Sequence, residues 1–133
     1  MSEPKEPLWI TYEQAIAIHS RQLRRFGGAP GLRDEGMLRS ALERPINKWR
    51  YEQAELAELA SAHAFGLAKN HAFVDGNKRI AFTATDVFLR RNGFYIEVAA
   101  EVGHAFIAGS IERHEFRFVQ ILEWIHHHIK PLV

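Results

Sequence analysis

From Lys78 to Arg91 the chain reads KRIAFTATDVFLRR, and Ile80, Ala81, Phe82, Ala84, Val87, Phe88 and Leu89 leave it little polar surface on any side. A helix apolar nearly all round is stable in water only when other elements enclose it. The rest of the chain must therefore wrap this segment, which predicts a central, buried helix over about 78–91. Its far end is clearly marked. Arg90 and Arg91 complement the negative end of the helix dipole, and Gly93 can take the left-handed conformation that closes a helix.

The elements available for wrapping are helical too. Thr11 and Gln14 have the spacing of a capping box, and Tyr12, Ile16, His19, Leu23 and Phe26 follow at intervals of three and four. GGAPG at 27–31 stops that helix in a loop. Asp34 can cap a short helix carrying Met37, Leu38 and Leu42 that ends before Pro45, and the stretch 46–52 reads as irregular, anchored by Trp49 and Tyr51. A helix from Gln53 to about Asn70 places Leu56, Leu59, Ala60, His63, Ala64 and Leu67 on one face. After it come the central helix and FYIEV, a short extended link. A fifth helix then carries Val98, Val102 and Phe106, and a sixth carries Phe118, Leu122, Ile125 and Ile129 before Pro131. The expectation is an all-α, six-helix bundle forming one domain over 1–133, with 1–7 as a mobile tail.

Charge and cysteine content narrow the chemistry. Lys plus Arg number 17 against 16 Asp plus Glu, so no global field draws the protein onto nucleic acid or a membrane, and any anion site is local. Without cysteine there is no disulfide, thiolate nucleophile or zinc–thiolate site. No apolar run approaches the ~20 residues that span a bilayer, and MSEPKEPLW lacks the pattern of a signal peptide, so a cytoplasmic protein is expected.

The near end of the central helix breaks a rule that the far end obeys. Lys78 and Arg79 add positive charge where the dipole is already positive, at a cost of a few tenths to ~1 kcal/mol each. A docked anion would reverse that cost. Unpaired N–H groups, a glycine at 76 and two cations together make a phosphate cradle, in which Arg79 can hold two oxygens and Lys78 acts as a point charge. Asp75 beside a polyphosphate calls for a bridging divalent cation such as Mg2+. His71, four residues earlier, can accept a proton from an attacking hydroxyl. Phe73 between them would plug into the core. Together these residues spell phosphoryl or nucleotidyl transfer from a nucleotide–Mg2+ complex. Singly, each has a blander reading, as a cap, a turn or a solvated charge; their concentration in HAFVDGNKR, residues 71–79, reverses the odds. Elsewhere, His19 and His63 read as hydrogen-bonded core or boundary residues, and His126, His127 and His128 as an exposed helix end.

The pattern H-x-F-x-D-G-N-K-R resembles the core motif of the Fic/Doc proteins in the form of the Doc (death-on-curing) toxins. AIAIHSRQLRRFGGAPGLRDEGML resembles the first helix and following loop of that family, and VFLRRNG the end of its central helix, so the likeness spans roughly residues 8–126. The resemblance implies the Fic fold, with His71 as catalytic base and Asp75 as Mg2+ ligand. It also implies that Gly76, Asn77, Lys78 and Arg79 form the anion hole, that Phe73 is the anchor, and that the loop carrying Gly31 and Arg33 is the flap that clamps the target chain. The AMP-transferring form of the motif, H-x-F-x-[DE]-G-N-G-R-x-x-R, differs at two places: Lys78 stands where it has glycine and Phe82 where it has its second arginine. Both departures match Doc toxins, which transfer the terminal phosphate of ATP to a threonine of elongation factor Tu and stop translation. The inhibitory motif of self-restrained Fic proteins is matched only in part, at Ser2 to Glu6 followed by Pro7, so control by a separate Phd-like antitoxin is expected. Two alternatives stand beside the bacterial toxin kinase: AMP transfer on the same fold, and a helical binding module without turnover.

Overall fold

The computed structural model describes residues 5–133, and among them six helices and one small antiparallel ribbon follow in the order α1 (Tyr12–Phe26), α2 (Glu35–Glu52), α3 (Leu56–Lys69), α4 (Asn77–Arg91), β1 (Phe94–Ile96), α5 (Ala100–Glu112), α6 (Phe118–His128) and β2 (Ile129–Pro131). The fold is all-α in character, with α4 at its centre, packed on α1, α3, α5 and β1. Ile80, Ala81, Ala84, Phe88 and Leu89 of α4 are shut off from solvent. Its end is as the sequence predicts: Asn92 caps it and Gly93 is left-handed at φ 90°. Asn92 also ties the beginning of the chain to this end, accepting the Leu8 N–H at 2.9 Å and donating to the Leu8 carbonyl at 3.0 Å. Of the tail expected at 1–7, residues 1–4 lie outside the described residues, as does the Ser2 end of the partial inhibitory motif.

The capping box opens α1: Thr11 Oγ1 accepts the Gln14 N–H at 3.1 Å, and Gln14 Oε1 accepts the Thr11 N–H at 2.9 Å. Asp34 caps α2, but α2 does not stop before Pro45. It runs on to Glu52, so the irregular stretch expected at 46–52 is helical. Pro45 has no N–H for the Ala41 carbonyl, a loss that usually breaks a helix. Here its ring is fully buried, and Ala41 lies against Gly66 of α3, where an added Cβ would come within 3.3 Å of the Ala41 carbonyl oxygen. Close α2–α3 packing at that turn outweighs the local preference. Tyr51, expected as an anchor, is 86% exposed, while Trp49 does pack on the core.

Two further expectations shift. The buried residues of α5 are Gly103, Ile107 and Ser110, whereas Val102 is exposed. The reason is Phe82: its ring fills the space beside Gly103 where a Cβ would sit, so the face carrying Gly103 is the one α4 needs. Ile129 leaves the helix to start β2, which pairs with β1 through Ile96↔Ile129 and Phe94↔Pro131, giving FYIEV a partner. No helix among the described residues is long and apolar enough to cross a membrane.

His63, midway along α3, is a core residue as expected. Its Nδ1 lies 3.0 Å from Thr85 Oγ1, its ring stacks on Phe88, and Nε2 has no partner among the described residues. Burial pushes its pKa down from 6.5 to about 4, so the folded protein holds it neutral. The folded-state value lies below the unfolded one, so its contribution is complete above pH 6.5 and declines as pH falls from 6.5 towards about 4. Across that window the cost of keeping the ring neutral grows, and the protein should lose about 3 kcal/mol of stability. Urea unfolding at several pH values checks this, with His63→Leu flattening that part of the curve.

Candidate active site

The motif occupies the tight connection between α3 and α4, and its backbone is unusual at both ends. After the cap residue Asn70, His71 turns left-handed at φ 49°, a conformation histidine tolerates better than most residues. Phe73 then forms an antiparallel bridge with Leu32, and the chain bends at Val74 and Asp75. Gly76 is left-handed at φ 80° and launches α4.

Phe73 is the buried anchor of this loop, 3% exposed, its ring stacked on His19 at 3.7 Å between centroids. Its backbone is gripped from the far side of the turn: the Phe73 N–H donates to Asn77 Oδ1 at 3.0 Å, and Asn77 Nδ2 donates to the Phe73 carbonyl at 2.9 Å. The Asn77 side chain, expected in the anion hole, thus staples the loop, and what it leaves for an anion is its own N–H. Among the described residues, the N–H groups of Asn77, Lys78 and Arg79 have no hydrogen-bond partner, and the first such bond of α4 runs from Ile80 to the Gly76 carbonyl at 3.0 Å. No acidic residue offsets the first turn.

The two cations differ. Lys78 is exposed and makes no ion pair or hydrogen bond among the described residues. Arg79 is partly engaged: its Nη1 donates to the Gly27 carbonyl at 3.0 Å and its guanidinium lies 5.5 Å from the centre of the Phe26 ring. Asp75 is exposed, and its carboxylate binds backbone on both sides. Oδ2 accepts the Ala29 N–H at 3.1 Å and Oδ1 the Gly76 N–H at 2.8 Å. These two donors, Ala29 first, hold its carboxyl below the usual carboxylate range, with smaller help from the charges of Arg79 and His19 and against the opposing effect of burial. The group is therefore an anion at neutral pH.

His71, Val74, Asp75, Gly76, Asn77, Lys78 and Arg79 line one open cleft of about 330 Å³, so the structure brings the expected base, carboxylate and cradle together. A larger groove of about 540 Å³ between residues 5–8 and the α2–α3 junction holds no histidine and lies away from the motif. Among the described residues no group of three or more His, Asp or Glu is placed to hold a metal ion. A single carboxylate facing a phosphate cradle is instead the protein share that Mg2+ takes when it is bound with a nucleotide. The residues fit that ion.

The loop from 27 to 34 is sewn to the motif rather than free. The Val74 N–H donates to the Gly31 carbonyl at 3.0 Å, and the N–H groups of Arg33 and Asp34 both donate to the Ala72 carbonyl. Arg33 sends Nε to the His71 carbonyl at 2.7 Å, next to that of Asn70, so its side chain closes the end of α3. His19, Gly27 and Ala29 complete the site from positions that no local pattern connects to it. Gly28 is fixed by the same packing: it sits at φ 121°, and an added Cβ would lie 2.8 Å from Asp75 Oδ2 and 3.0 Å from Leu23 Cδ2. Gly28→Ala should therefore detach Asp75 from Ala29 at a cost of about 1–3 kcal/mol. Faster hydrogen exchange at the Ala29 amide, with the helix amides unchanged, is the expected readout.

A Fic/DOC family model matches residues 9–89. The chain is 35% identical over 88 residues to "Protein kinase doc" of Escherichia phage P1, a match covering 65% of this chain and 70% of that protein. It is 40% identical over 82 residues to "Toxin Doc" of Mycolicibacterium smegmatis, covering 60% of this chain and 63% of that protein, just under two thirds of the latter.

Proposed function

This chain belongs to the Fic/DOC family, and on that premise we propose that it is a Doc-type toxin kinase, transferring the terminal phosphate of ATP to a Ser or Thr hydroxyl of a translation factor. The observation that carries the reading is the start of α4: three N–H groups and Lys78, all without a partner among the described residues, open on the cleft that also holds His71 and Asp75. In that arrangement His71 accepts the proton of the attacking hydroxyl as its oxygen bonds to the terminal phosphorus. The bond from that phosphorus to the bridging oxygen breaks, and ADP departs. The cradle meets the charge that builds on the transferring group, through hydrogen bonds set in place before reaction. A Mg2+ ion held by Asp75 would supply charge neutralisation for the phosphates.

Phe82 supports phosphate over AMP as the group moved. It is 5% exposed, with its ring beside Gly103, so the position of the second arginine of the AMP-transferring motif is here part of the core. Elongation factor Tu as acceptor, a bacterial cytoplasmic setting and restraint by a Phd-like antitoxin extend the same reading. The test is incubation with purified elongation factor Tu, ATP and Mg2+, followed by intact mass measurement of the acceptor. A gain of one phosphate is expected. A gain of one adenylate would replace the proposed reaction with nucleotidyl transfer. Absence of any gain would remove this acceptor, and terminally labelled ATP in a whole lysate would then show whether another protein takes the phosphate.

A further inference from the structure

His19 of α1 plays no part in the chemistry just described, yet it touches the motif at three points. It is 3% exposed. Its ring lies flat on Phe73, with 12° between the planes. Its Nε2 is 2.7 Å from the Asp75 carbonyl oxygen, and an added Cβ on Gly76 would sit 3.4 Å from the same nitrogen. A carbonyl only accepts, so Nε2–H is the donor.

That carbonyl has a second suitor. Asp75 stands four residues before Arg79, so a helix that started one residue earlier would bond the Arg79 N–H to the Asp75 carbonyl. Gly76 decides which occurs. At φ 80° it turns the Asp75 carbonyl away from the α4 ladder, and a glycine is about as comfortable at helical φ. Nothing in Gly76 itself selects the left-handed state. The contacts Asn77–Phe73 and Ala29–Asp75 hold the loop on either side, and Asp75 Oδ1 takes the Gly76 N–H at the other edge of the same peptide, but none of them occupies the carbonyl oxygen itself. We infer that His19 is a positioning residue for the anion cradle: by taking the Asp75 carbonyl it keeps Gly76 left-handed and leaves the Arg79 N–H free for an anion. The identity of that anion as a phosphate rests on the function proposed above.

Two variants of the full chain separate the donor from the ring. His19→Phe keeps a flat ring over Phe73 without a donor, and His19→Gln keeps an N–H donor at similar reach without the ring. In His19→Phe, α4 should extend backwards, so hydrogen exchange at the Arg79 amide should slow about tenfold while the Ala84 and Phe88 amides stay unchanged. Inorganic pyrophosphate, followed through the amide signals of Asn77, Lys78 and Arg79, should bind about tenfold more weakly to that variant. His19→Gln should restore both readouts. Wild-type exchange at Arg79 in His19→Phe would overturn the inference, and so would a His19→Gln that behaves like His19→Phe. Should the Phe variant not fold, His19→Leu replaces it under the same criteria. A wild-type protein that ignores pyrophosphate would defeat the phosphate reading, while Arg79 exchange would still decide the role of His19.

Discussion

His71→Asn should fold as the wild type does and lower phosphate transfer by about 10²–10⁴-fold, the range expected for removal of a general base. Asparagine is a better probe than alanine here. His71 sits at φ 49°, where alanine would add strain of its own, whereas asparagine adopts that conformation readily. The His71 carbonyl, which receives Arg33 Nε at 2.7 Å, would be left in place, so the end of α3 and the flap should not move. Nucleotide affinity should change little, because the cradle lies in the backbone of residues 77–79 and in Lys78. Single-turnover transfer and a melting curve, measured side by side, check both halves. A folded variant with near wild-type transfer would remove His71 from the proton-accepting role.

The basic residues at the start of α4 now have separate physical accounts. Arg79 is partly offset without any ligand, through the Gly27 carbonyl and the Phe26 ring. Lys78 has no such relief among the described residues, and it remains the uncompensated charge at the positive end of a helix. The proposed anion site is therefore a composite. The staple Asn77 shapes it, Arg79 bridges it to the loop from 27 to 34, and Lys78 faces the cleft with the N–H groups that lack a partner among the described residues.

The parts of this architecture that could be read from the residues are those fixed by neighbours in sequence. The Thr11–Gln14 box, the apolar girth of α4 and the Gly93 stop are local, and each appears where the pattern places it. So are the constituents of the motif, whose nine residues fold back on themselves. What was hidden depends on contacts between distant segments. Pro45 reads as a helix end until Gly66 is seen to let α3 close on Ala41, one turn before it in α2. Gly103 looks like a weak point of α5 until Phe82 is laid against it. Arg79 reads as a phosphate ligand because its type suits an anion, and Asn77 through the family resemblance; their partners, Phe73 and Gly27, are set by the loop fold and by α1. His19 gave one clue, a polar ring on an apolar stripe, but its acceptor lies 56 residues away.

Asp75 joins two of these segments, and its replacement should give the second large effect. Asp75→Asn removes the charge that would hold Mg2+ while retaining one acceptor oxygen for backbone; Asp75→Ala removes both. Nucleotide binding measured with Mg2+ and with a chelator should therefore lose its metal dependence in both variants, weakening about tenfold or more in Mg2+. Flap attachment should fall in graded fashion, since only the Asn variant can still accept the Ala29 N–H, and exchange at that amide reports it. The pH dependence follows from the depressed carboxyl pKa: the contribution of these bonds is complete above the usual carboxylate range and is lost only as pH falls through the lower folded-state value. An acid limb of activity near neutrality would accordingly belong to another group. An Asn variant with unchanged Mg2+ dependence would leave Asp75 as a flap latch alone, and the metal would have to be carried by the nucleotide without this carboxylate.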